Sequence, residues 1–151
     1  MRLEIYDSNE LNFVELNITG GNDTLVRCDK ESKYVDTVVF NLFAPCFENA
    51  NKLYEYYGPT KFNSRKIIPL RNELMKYRDD LKALDSLEKF EKYISSHFLG
   101  VEFLEEIKKS FPNYKDTWKQ HLEDVIKIND DLIAITEKCA FEERILWIVG
   151  Y

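Results

Sequence analysis

The run from Asn113 to Cys139 most constrains the fold, because it keeps one helical stripe unbroken through Trp118, Leu122, Val125, Ile128, Leu132, Ile135 and Cys139. Spacings of three and four put these side chains on one side of a 3.6-residue helix, and an apolar stripe of that length must be covered. Most of the chain before it reads as that cover. At 151 residues the chain is one domain, 1–151, long enough to bury about 70% of the surface its unfolded form exposes. An apolar share of 44% supplies a core without help from disulfides or a metal.

The first thirty residues read as a small antiparallel meander. Arg2–Tyr6 and Asn12–Ile18 read as strands, broken by Asp7-Ser8-Asn9, and Thr24–Cys28 reads as a third strand after the Gly20-Gly21-Asn22-Asp23 turn. From Tyr34 to Tyr57 two signals conflict. Val35, Thr37, Val38, Val39 and Phe40 favour strand by propensity, yet Val35, Val38, Leu42, Cys46, Ala50, Leu53 and Tyr57 keep helical spacing through Pro45. The continuous stripe is weighted above propensity, so a helix kinked or restarted at Pro45 is expected, stopped by Gly58-Pro59. If Tyr34–Ala44 is strand instead, the sheet gains a member.

Thr60–Lys66 is then a polar loop. Ile67, Leu70, Leu74, Tyr77, Leu81 and Leu84 form the next helical stripe, with Pro69 in its first turn. Asp85 with Glu88 resembles a capping box opening a helix with Leu87, Phe90, Ile94 and Phe98 inward, ended by Gly100. Val101–Phe111 is a short helix with Phe103, Leu104, Ile107 and Phe111 inward, stopped by Pro112, and Asn113 caps the long helix. Arg144–Val149 is too apolar for an exposed strand and is placed centrally, paired with the N-terminal meander. The expected class is α+β, a small antiparallel sheet from the N-terminal meander plus the C-terminal strand, packed on four or five helices.

Several chemistries find no pattern here. His97 and His121 form neither Glu-x-x-His nor His-x-x-x-His, so no metal or cofactor is expected. No Gly-x-Ser-x-Gly or phosphate-binding glycine loop occurs, and no catalytic residue is assigned. Cys28, Cys46 and Cys139 are too irregularly spaced for a disulfide framework and sit beside apolar stripes, as buried thiols do. The opening MRLEIYDSNE has no apolar h-region and does not read as a signal peptide, and no apolar run reaches the roughly 18 residues of a membrane span. A cytoplasmic protein without membrane contact is expected.

A net charge of −6 argues against a general nucleic-acid binder. The charge is uneven, however: residues 61–84 carry seven basic and three acidic side chains between two acidic stretches. A nucleic-acid contact would need Lys61, Arg65, Lys66, Arg71, Lys76 and Arg78 on one face. Tyr54–Lys66 joins aromatics to basic residues in a loop tied down by Gly58 and Pro59, the composition of a binding loop. Its candidate binding residues are Tyr56, Tyr57, Lys61, Asn63, Arg65 and Lys66. On the long helix, Glu123, Asp124, Asp130 and Asp131 lie off the apolar stripe, with Glu123 and Lys127 as an i,i+4 pair. They form an acidic surface suited to a basic protein partner. The functional expectation is a non-catalytic protein–protein interaction or regulatory protein, immunity- or inhibitor-like. The alternative is a small-molecule binder or enzyme with a pocket near the Tyr54–Lys66 loop.

Overall fold

The computed structural model describes residues 1–8, 12–56 and 58–150. Its strands are β1 (Phe13–Asn17), β2 (Lys33–Asp36), β3 (Thr60–Phe62) and β4 (Leu146–Gly150), all antiparallel, in the order β2-β1-β4-β3. Its helices are α1 (Thr37–Phe40), α2 (Ala44–Ala50), α3 (Ser64–Lys82), α4 (Leu87–Ser95), α5 (Gly100–Ser110) and α6 (Tyr114–Phe141). This is the expected α+β arrangement, with α1 amounting to a single turn.

Register follows from the alternation. Val14 sits opposite Val35, Leu16 and Thr60 opposite Ile148, and Phe62 opposite Leu146. Val14, Leu16, Val35, Phe62, Leu146 and Ile148 join the helices in one core, whose largest fully buried members include Phe40, Phe43, Phe47, Phe62, Phe90 and Phe103. Each such ring contributes about 1.5–3 kcal/mol relative to exposure. The opposite sheet face carries Phe13, Glu15, Asn17, Tyr34 and Trp147, all buried. Each sheet edge is partly occupied, since Tyr6 exchanges backbone hydrogen bonds with Tyr34, and Asn51 Nδ2 donates to the Lys61 carbonyl. Such contacts interrupt an edge as a template for a further strand.

The long helix is covered chiefly by α3, which runs antiparallel to it, with Arg71 paired to Glu137 and Arg78 to Asp130. The uneven charge is therefore partly an internal complementarity between α3 and α6. Leu122, Val125, Ile128, Leu132 and Cys139 are buried as expected, while Trp118 and Ile135 are only partly so. The inner face also holds His121, Asn129, Ile133 and Thr136. His121 is thus buried although it lies off the expected stripe.

Other boundaries moved for identifiable reasons. Of the expected meander only the middle strand joins the sheet. Arg2–Tyr6 contributes one bridge at Tyr6, and residues 24–28 form no strand, because Lys33–Asp36 takes the place beside β1. The turn at Asp7-Ser8-Asn9 lies partly outside the described residues, at Asn9. The expected helix over Tyr34–Tyr57 divides instead into β2, α1 and α2, because Tyr34 and Val35 can satisfy their backbone against β1. Pro45 falls in the first turn of α2, where no N–H is needed, and α2 ends at Ala50 as Asn51 turns extended. Gly58-Pro59 therefore does not stop a helix.

Thr60–Phe62 is a strand rather than loop, and α3 starts at Ser64, capped by Asn63. Pro69 is thus inside the helix, on an exposed position where water can serve the orphaned carbonyl. The α4 cap is Ser86, whose Oγ accepts from Lys89 N at 3.2 Å, while Asp85 pairs with Lys89. Gly100 opens α5 instead of ending α4, and Phe98 is 57% exposed. Asn113 occupies the α6 cap position without a side-chain capping bond. Cys46 and Cys139 are buried, but Cys28 is exposed in the loop after β1.

Candidate docking site at the Asn51–Lys66 loop

The segment between α2 and α3 is held from inside at both ends. Asn51 accepts from Leu53 N at 3.0 Å through its side chain and from Tyr54 N at 3.0 Å through its carbonyl, while its amide reaches across to Lys61. Thr60 Oγ1 accepts from Glu55 N at 3.0 Å. Tyr54 packs its ring near Phe47 and Phe62, and burial raises its phenol above the ordinary range, with smaller contributions from Tyr56 and Glu48. Tyr56 donates to Asn41 Oδ1 and meets the Phe98 ring edge-on at 5.6 Å.

With Asn51 and Thr60 bonded inward, Leu53 stands out, 81% exposed. Beside it lies a cleft of 290 Å³ whose lining includes Leu53, Pro59, Lys61, Asn63, Lys66 and Trp147. The indole of Trp147 is fixed by donating to the Gly21 carbonyl at 2.9 Å, and Gly20 leaves room for it: a Cβ there would fall 2.6 Å from Trp147 Cδ1. Lys61 Nζ donates to the Asn22 carbonyl at 2.6 Å, and Asn63 Oδ1 accepts from Arg65 N at 3.1 Å.

The structure thus brings Lys61, Asn63 and Lys66 together on one cleft, with Arg65 exposed on the same first turn of α3. Tyr56 faces Asn41 and Phe98 instead, and Tyr57 lies outside the described residues. The acidic residues of α6 line no cavity with this loop, and most are engaged locally. Asp130 pairs with Arg78 at 3.1 Å, Asp131 with Lys127 at 2.7 Å, and Asp124 accepts from Gln120 at 3.1 Å. Lys127 therefore chooses Asp131, not Glu123. Lys61, Arg65, Lys66, Arg71, Lys76 and Arg78 do not form one open face either, since Arg71, Lys76 and Arg78 are paired with Glu137, Glu73 and Asp130.

No protein-family model, curated protein or solved structure matches this chain.

A larger cavity of 550 Å³ lies on the other side of Asn63, among Asn22, Ile67, Ile68, Ala140, Glu143 and Arg144. Cys139 lies in its wall, and burial pushes that thiol up to about 11, opposed by Arg144. Arg144 is already paired with Glu142 at 2.9 Å and Glu31 at 3.4 Å, so this rim has no strong net sign. Among the described residues no group of three His, Cys, Asp or Glu could hold a metal ion, and no helix is long and apolar enough to cross a membrane. Sequence reasoning missed Leu53 and Trp147. Leu53 had been placed on a helical stripe, and only the end of α2 at Ala50 releases it outward.

Proposed function

We propose that this chain is a non-catalytic protein-binding domain of regulatory or inhibitory type, docking through the Asn51–Lys66 loop. The observation that carries this reading is the exposure of Leu53 on a segment tied inward through Asn51 and Thr60. Hydrogen bonds that tie the backbone before binding lower the entropy lost on docking, so apolar contact made there is retained as affinity. Exposed apolar side chains on a loop beside a cleft lined by an aromatic ring are features of interface anchors.

A photo-crosslinking residue in place of Leu53 tests the reading in the native host, with the same residue at exposed Lys115 as control. A discrete adduct of one mass from position 53 and none from position 115 is the expected result. Equal labelling from both positions, or none from either, sinks it.

A second reading is favoured by the 550 Å³ cavity, whose size lies in the range of small-molecule sites and whose Ile67 and Ile68 offer apolar contact. Ligand-detected NMR against a metabolite mixture should then show a binder that Ala140→Trp displaces. A mixture with no binder lost on that substitution removes this reading.

A further inference from the structure

We infer that the partner of this face is an acidic polypeptide segment carrying apolar anchor residues, seated across Leu53 and the Trp147-floored cleft; this rests on the protein-binding reading above.

The charges decide the partner's sign. In a chain of net charge −6, Lys61, Arg65 and Lys66 have no carboxylate within ion-pair distance among the described residues. Lys52 adds a further cation next to Leu53, and Glu55 is the carboxylate lining the same cleft. Farther along α3 the pattern changes, with Arg71, Lys76 and Arg78 each balanced by an acid.

Placement on the helix strengthens the point. Arg65 and Lys66 occupy the first turn of α3, which carries no acidic residue. Cations there oppose the helix dipole. An arriving carboxylate would be favoured by both the side-chain charges and the helix end. Leu53, Pro59 and the Trp147 ring supply the apolar half of the surface. A basic partner would meet these cations unfavourably, and a purely acidic one would leave Leu53 unused.

At the β3 edge beside the cleft the Asn51 amide already takes the Lys61 carbonyl, so the segment docks by side chains rather than by adding a strand. A short amphipathic segment with Leu, Phe or Trp anchors flanked by Asp or Glu fits that requirement.

Three synthetic peptides test this, sharing the same Leu and Trp positions and carrying Glu/Asp, Gln/Ser or Lys/Arg between them, with an all-acidic peptide as a fourth. By fluorescence anisotropy the acidic apolar peptide should bind at least about tenfold tighter than the other three. Its affinity should fall about tenfold in Arg65→Glu/Lys66→Glu and in Leu53→Asp. The charge reversals place acids where the helix end favours them, and Leu53 is exposed, so circular dichroism should stay unchanged and melting should not fall in either variant. The inference is overturned by equal or better binding of the neutral, basic or all-acidic peptide. It is equally overturned by no binding of any peptide, or by affinity indifferent to the substitutions. A discrete crosslink from position 53 alongside any of those results would leave the docking reading standing and remove only the partner's chemistry.

Discussion

Asn129, fully buried near the middle of α6, donates its side-chain amide to the Leu74 carbonyl of α3 at 2.9 Å. This is a polar tie across the principal helix pair, set within an otherwise apolar seam. The Asn129 Oδ1 has no hydrogen-bond partner. A buried oxygen without a donor costs about 1–3 kcal/mol, which offsets much of what the donated bond supplies.

Substitution at Asn129 should therefore separate two effects. Asn129→Leu removes the bond and the orphaned oxygen together, and urea unfolding should show a change within about 1 kcal/mol. Asn129→Asp places a carboxylate beside the Leu74 carbonyl in a dry seam and should cost about 3 kcal/mol or more at neutral pH. Equal stability of the Asp variant would show that water reaches this position.

The end of α6 stores a correctable strain. Glu143 has φ 55°, in the left-handed region, and Arg144 N donates back to the Cys139 carbonyl at 2.8 Å. That is a Schellman stop with glutamate where glycine ordinarily sits. Glu143→Gly should raise stability by about 0.5–1 kcal/mol, measured as a shift of the urea midpoint at constant slope. Gly100 behaves oppositely: its φ is not positive, but a Cβ there would fall 1.8 Å from the Ile94 carbonyl oxygen. Gly100→Ala should destabilise the α4–α5 junction by about 1–3 kcal/mol.

Glu15 should act as the latch of the loop after β1. Its Oε1 accepts from Cys28 N at 2.8 Å, Ser32 Oγ at 2.7 Å and Asn17 Nδ2 at 3.1 Å, with no exposed surface. Removing the carboxylate in Glu15→Ala leaves buried donors unanswered, at about 2–3 kcal/mol. Hydrogen exchange of the segment 19–32 should accelerate far more than that of β4 or α6. Uniform acceleration across the chain would mean that Glu15 supports global stability and not this loop.

The parts legible in the sequence are those with long repeats. The stripe over Asn113–Cys139 and that over Ile67–Leu81 survive as α6 and α3, because many turns of consistent spacing leave no competing period. Arg144–Val149 was recognisable because Ile148 and Val149 sit in a run too apolar for one exposed face. Tyr34–Asp36 was not, since over three or four residues strand propensity and helical spacing cannot be told apart without knowing that β1 lies alongside. Residues 24–28 read as a strand after the glycine turn, yet their loop is held by side chains of Glu15 and Asn17, which no periodicity records. The burial of Glu15 depends on that loop folding back over it. Within the candidate site, Lys61, Asn63 and Lys66 were readable as a basic loop. Their convergence with Trp147 depends on β3 pairing with β4, which is a tertiary fact.

The corner between α5 and α6 should make the fold sensitive to mild acid. His121 is buried, its Nε2 lies 3.0 Å from Thr117 Oγ1, and its Nδ1 has no partner. Its ring rests against Phe111 at 4.4 Å. Burial holds its pKa below the ordinary imidazole value of 6.5, with Asp124 opposing more weakly. Above pH 6.5 both folded and unfolded chains carry neutral His121, so its contribution is then fully present. As pH falls through 6.5 the unfolded chain takes up the proton first, and stability declines until the folded imidazole is also protonated. His121→Gln keeps a polar group near Thr117 but cannot titrate, so other ionisations cancel when the two proteins are compared. Wild-type urea midpoints should drop more steeply than those of His121→Gln between pH 7.5 and 5, and parallel profiles would refute the assignment.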